Sequence, residues 1–128
     1  MRDLASNIGA VAALAPAVQS AAANGAAIDT LGFNGVAFIL NTGAIAGDGE
    51  FGAKVQESDT DVSGDFTDAD ASHVDSTAPA TLAAASTYKL GYRGHKRFVR
   101  LALTKAGGTS IAAGAVAILG HAASRPVA

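Results

Sequence analysis

The chain has 128 residues, no cysteine and a formal net charge of −2. That length suits one domain with its own core. The missing thiols exclude disulfides and thiolate metal sites, and the charge balance argues against a general affinity for nucleic acid. Five Phe and two Tyr stand against fifteen Gly, so much of the interior must be Ala, Val and Gly between close backbones. A core of that kind yields little apolar area per residue and leans on neighbouring subunits, so a homo-oligomer or an assembly component is expected.

Residues 1–23 open with an apolar run, Ile8 to Val18, after Arg2. It has the look of a secretory leader, but Asp3 and Asn7 spoil the positive start, and the run is too short to span a membrane. An Ala-rich helix would be disrupted at Pro16. The reading is an extended N-terminal arm with a strand around Val11 to Val18, or alternatively a first strand of the domain, followed by a single β domain over 24–128. An arm would lay Val11, Leu14 and Val18 on a neighbour.

Asn24-Gly25 and Gly32 to Gly35 are turn signals around a short strand from Ala26 to Leu31. Val36 to Asn41 is apolar without alternation, which reads as a strand buried on both sides. A loop is expected from Thr42 to Gly49. Glu50 to Glu57 alternates, with Phe51, Ala53 and Val55 inward and Lys54 and Gln56 outward. Ser58 to Ser76 is polar and acidic, pinned to the body by Phe66. Thr77 to Ser86 is a transition with Pro79, read as an edge strand or helical turn.

Ser86 to Leu103 is the most informative stretch. Tyr88, Leu90 and Tyr92 share one face of a strand, and Val99, Leu101 and Leu103 share one face of the next. Arg93-Gly94-His95 reads as a hairpin turn between them. Five of the nine basic residues lie here: Lys89, Arg93, Lys96, Arg97 and Arg100. Lys105 to Gly108 is a turn, and Ser110 to Gly120 a last strand anchored by Val116, Ile118 and Leu119. His121 to Ala128 reads as a polar tail in which Pro126 resists pairing. The pattern is all-β: a β-sandwich or small barrel of about seven to eight short antiparallel strands.

Nine of the eleven acids fall between Asp48 and Asp75, and six of the nine bases between Lys89 and Lys105. One reading is a solvated acidic loop beside a basic hairpin. The sharper one is that acidic and basic faces of neighbouring copies meet head to tail. Asp59, Asp61, Ser63, Gly64, Asp65 and Asp70 match most of a calcium-loop pattern. The closing residue is Asp instead of Glu, however, the flanks are not helical, and Asx turns use the same residues. No metal or other cofactor is therefore expected. His73, His95 and His121 are scattered. There is no Gly-x-Ser-x-Gly elbow and no Rossmann or P-loop fingerprint, so an enzyme is not expected. Arg93, Lys96, Arg97 and Arg100 point to protein contacts; Lys96 and Arg97 face opposite ways on a strand and make no continuous groove for nucleic acid.

Several motifs in order carry a resemblance: Ala-Leu-Ala-Pro-Ala-Val (13–18), Ala-Ile-Asp-Thr-Leu-Gly-Phe-Asn (27–34), Gln-Glu-Ser-Asp (56–59) with Phe-Thr-Asp (66–68), and Tyr88 to Leu101 running on to Ala-Ile-Leu-Gly-His (117–121). Together they resemble a family of small structural proteins of tailed bacteriophages and related particles, often encoded beside the major capsid gene. The resemblance implies a virion protein, made in the host cytoplasm and carried on the capsid surface. The leading expectation is a capsid decoration (cement) protein, with the major capsid protein as partner and no membrane or nucleic acid involved. The alternatives are a low-copy head–tail connector, tail terminator or head-spike base, and, outside virions, a calcium- or carbohydrate-binding β module.

Overall fold

The computed structural model describes residues 2–123. Ten strands follow one another: β1 (Gly9–Gln19), β2 (Ala23–Asn24), β3 (Ile28–Asp29), β4 (Phe33–Ala46), β5 (Glu50–Ser58), β6 (Thr67–Asp68), β7 (Val74–Ser76), β8 (Thr87–Tyr92), β9 (Phe98–Gly107) and β10 (Ser110–Ala122). They form two antiparallel sheets. The first has the order β1-β10-β4-β8-β7; in the second, β2 and β3 pair with β9, which pairs with β5 and then β6. The sheets pack face to face as a β-sandwich, not as a closed barrel.

Cross-strand rows build the core. In the first sheet Leu119, Val36 and Tyr92 are register partners, as are Ala117, Phe38 and Leu90 one step along. These six side chains are buried. The second sheet answers with Val99, Leu101 and Leu103 of β9, Phe51 and Val55 of β5, and Ile28 of β3. Each fully buried Leu, Val or Phe contributes about 1.5–3 kcal/mol. The alanines of β10 supply little of that; Ala117 is the small register partner of the large Phe38.

Short hydrogen bonds close the two open sides. On one, the Ala26 amide donates to the Ala13 carbonyl at 2.8 Å and the Gly25 amide to the Leu101 carbonyl at 2.7 Å. A Cβ on Gly25 would overlap the Ala13 carbonyl oxygen, so the crossing requires glycine. On the other, Leu82 is buried and its amide donates to the Phe51 carbonyl at 2.8 Å. The Thr42 hydroxyl donates to the Ala83 carbonyl at 2.6 Å and accepts from the Ser86 amide at 3.0 Å.

Several expectations change, beginning with the number of strands, which is ten among the described residues and not seven to eight. The stretch 86–103 is not a hairpin, because β8 pairs with β4 in one sheet and β9 with β5 in the other. Alternation reports which way side chains point and not which strand lies alongside. Residues 93–97 arch between the sheets around Tyr92, whose hydroxyl donates to the Glu57 carboxylate and accepts from the Lys96 amide, both at 3.1 Å. Of the two readings of 1–23, the first strand holds and the free arm does not: β1 is paired with β10, and Ala13 and Leu14 are buried. The loop expected after Thr42 is strand, since β4 continues to Ala46 along β10. Residues 77–86 contain neither strand nor helix. Finally, Leu119 is a core residue, but Val116 and Ile118 lie on the opposite face of β10 and are half-buried. The strand runs on to Ala122, and the rest of the expected tail, with Pro126, lies outside the described residues.

Phe38→Ala is expected to cost about 3–5 kcal/mol, the range for emptying a buried aromatic site, read as a drop in the urea midpoint with an unchanged slope.

Candidate interaction surface

The outer face of the first sheet is built from the same ladders as the core, one residue out of step. Ala12, Val116, Ile39 and Lys89 form one row of register partners; Ala10, Ile118, Ala37 and Gly91 form the next. Val18 pairs with Ala112 farther along β1. Between these rows Pro16 lies against Gly114, where a Cβ would come within 2.9 Å of the proline Cα. The result is a shallow depression bordered by Pro16, Ile39, Ala112 and Val116. Strands β1, β10 and β4 contain no Asp, Glu, Lys or Arg. The first charge met on crossing this face is Lys89, on β8. The run from Val36 to Asn41 reads as a strand buried on both sides, yet Ala37 and Ile39 are only half-buried and Asn41 is exposed.

The free edge of the sheet belongs to β1. Val11 is 42% exposed and Val18 71%, whereas Leu14 is only 7% exposed and cannot serve as a contact. Beside the edge runs an open groove lined by Ala12, Ala15, Ala17 and Gln19 with Asn24 and Ala26.

The charges lie elsewhere and answer one another within the chain. Arg93 donates to Asp75 at 2.6 Å, Lys96 to Asp59 at 2.8 Å, and Arg97 to both oxygens of Asp29 at 2.9 and 2.8 Å. Arg100 is 7% exposed. Its guanidinium lies 4.4 Å from the Phe66 ring centroid and donates to Gln56 Oε1 at 2.8 Å and Ser63 Oγ at 3.0 Å. Arg100 thus clamps residues 63–66 onto the outside of the second sheet. Phe66 does pin the acidic segment, as expected, and a basic side chain is its seat.

The calcium-loop residues are spread over these contacts. Asp59 faces Lys96, Ser63 faces Arg100, Asp65 accepts from Thr60 at 2.6 Å, and Asp70 accepts from the Ser72 amide at 2.9 Å. Those Ser72 bonds hold the Asp70 carboxyl below its ordinary range. The rings of His73 and His95 meet edge to face at 6.4 Å, and His121 lies apart on β10. Among the described residues no group of three His, Cys, Asp or Glu side chains could hold a metal ion, and no helix is long and apolar enough to cross a membrane.

Comparison of the chain with family models, curated proteins and solved structures finds no match in any of the three.

Two outcomes are expected for the charged side. The Arg97 hydrogen bonds, with the Leu31 amide, bring the Asp29 carboxyl down from 3.8 to about 2. A depressed folded-state value stabilises above the unfolded value and is lost as pH falls through the folded one. Stability should therefore decline from about pH 4 toward about pH 2, and Asp29→Asn should flatten that decline in urea midpoints measured against pH. Arg100→Ala should cost about 1.5–3 kcal/mol, the range for hydrogen bonds made by a charged group, and should speed proteolysis within residues 59–66.

Proposed function

We propose that the protein is a capsid decoration protein that binds the outside of an assembled head shell and stabilises it. The observation that carries the reading is the edge strand β1. It is eleven residues long and uncharged, with Val11 and Val18 exposed beside an Ala-lined groove. A long apolar edge is normally blunted by charge because it invites pairing. Left without charge, and interrupted for regular strand addition by Pro16 and the register shifts beside Leu14, it suits side-chain docking on a protein surface. The order of motifs along the chain, and its likeness to small head-associated phage proteins, adds the class of partner.

Binding acts by mass action: a protein that engages the assembled shell and not free subunits raises shell stability with its own occupancy, by about 2.7 kcal/mol per site at a hundredfold excess over Kd. The contact is apolar. Arg93, Lys96 and Arg97 are already paired at home and Arg100 is buried, so acidic patches on the shell are not the counterpart.

Quantitative mass spectrometry of purified particles tests the class. Copy numbers comparable to the major capsid protein are expected. Absence from particles, or a count of one ring, would overturn decoration, the second pointing to a connector. The contact is tested by substitution, since deleting residues 1–23 would strip Ala13 and Leu14 from the core. Val11→Lys with Val18→Lys should lower shell occupancy about tenfold or more, while the urea midpoint moves by no more than the ~0.5 kcal/mol usual for surface changes.

A further inference from the structure

We propose that the outer face of the first sheet is a homodimer interface, occupied by the same face of a second copy around a two-fold axis. This does not rest on the decoration reading, which concerns the exposed edge of β1, although Ala12 and Val18 belong to both surfaces.

Charge chooses the occupant. An average protein surface is rich in charged groups, and pressing it against Ala12, Val116, Ile39, Ala10, Ile118 and Ala37 would desolvate charges that find no partner there. The same face on another copy carries no such charge across its three strands. A two-fold contact is self-complementary by construction, each patch meeting its own likeness.

Area supports the same choice. The uncharged rows run from Ala10 to Val18 along β1 and across three strands, about 30 Å by about 15 Å at ordinary strand spacings. That is about 450 Å2 in plan per copy and about 900 Å2 for the pair, before the relief of the side chains is added. A specific interface needs roughly 1,000 Å2, so the face suffices for a reversible dimer and not for an obligate one. Two sheets meeting this way pack about 10 Å apart with strands near 30°. The small residues Gly114, Ala112 and Gly43 leave the depression that a facing Val116 or Ile118 would fill. The Lys89 side chains fall at the rim, where they stay hydrated.

The test is sedimentation velocity of the full chain over about 1–200 µM, the range in which an interface of this size dissociates. The weight-average mass should rise from 12.6 kDa toward twice that value. Raising salt from about 0.05 to 0.5 M should leave the dimer intact or tighten it, whereas a head-to-tail association of acidic and basic faces would weaken. Ile118→Lys and Ile39→Lys should each weaken dimerisation at least tenfold. Should either fail to fold, Ala12→Lys and Ala10→Lys place the charge on the same rows at exposed positions of β1. Val62→Lys, on the opposite sheet's loop, should change nothing. A chain that stays at 12.6 kDa throughout, or a dimer indifferent to all four lysines on the face, would overturn the proposal. Neither result would bear on shell binding, which is read from particles.

Discussion

The ladder between β4 and β10 is the constraint on which the rest of the molecule depends. These are the two longest strands, at fourteen and thirteen residues, and they pair from Phe33 against Ala122 to Ala46 against Ser110, with one register shift between Ile111 and Ala113. Strand period then decides everything on both sides at once. One face delivers Val36, Phe38, Leu40, Ala117 and Leu119 to the core; the other presents Ala37, Ile39, Val116 and Ile118. A slip of one residue would exchange the two sets, and since both are apolar, hydrophobicity alone would hardly oppose it. Shape does. Phe38 needs the space beside Ala117 and facing the second sheet, while Gly114 must meet Pro16. The bulge in the ladder between Ile111 and Ala113 adds a further fixed point.

Charge is handled by a different principle. The acids and bases are separated in sequence but interleaved in space. The arch at 93–97 and the acidic segment at 59–75 arrive at the same side of the sandwich from different sheets, and Lys96–Asp59 and Arg93–Asp75 form there. These exposed pairs contribute little energy one by one. Arg100 differs, because its hydrogen bonds and its contact with Phe66 are sheltered from solvent. It fixes a segment otherwise held by short strand pairings, β6 on β5 and β7 on β8, and by the exposed ion pairs of Asp59, Asp68 and Asp75. The sharp reading of segregated charge, neighbours meeting head to tail, loses much of its motive once Lys54, Arg93, Lys96 and Arg97 each meet an acid within their own chain.

Much of the fold was legible, for reasons that also explain what was not. The glycines closing the expected turn at Lys105 to Gly108, where β9 runs on to Gly107 before the chain turns, and the alternation of Glu50 to Glu57 are local signals, and the all-β class follows from them; Asn24-Gly25 makes no turn, because β2 and β3 run on along the same strand β9. Alternation cannot report partners, so Tyr88 to Leu103 was legible as two strands and misread as one hairpin. Nor can it report which of two apolar faces is inside. Val116 and Ile118 read as core residues by their size, yet the core side of β10 is the alternate set Ile111, Ala113, Ala117 and Leu119, with the small Ala117 beside the large Phe38. The ion pairs bridge up to 68 positions of chain, and nothing in spacing anticipates that. The candidate face did leave a trace: Val36 to Asn41 reads as a strand buried on both sides, and the chain alone covers only one.

That uncovered side is a choice with a cost. Large β-branched residues on an open sheet, next to an uncharged edge, are the features that ordinarily lead to uncontrolled association. The chain carries charged residues at 16% of its positions and spends none of them on β1, β4 or β10. Lysines there would have protected the edge cheaply, and β8 shows one at Lys89. Pro16 and the register shifts on either side of Leu14 supply the protection instead. They interrupt the edge for regular strand addition while leaving the face apolar. The combination blocks open-ended sheet growth and still permits a closed contact, face against face or edge against a shaped partner. A surface arranged in that way is better explained by association of defined geometry than by indifference to water.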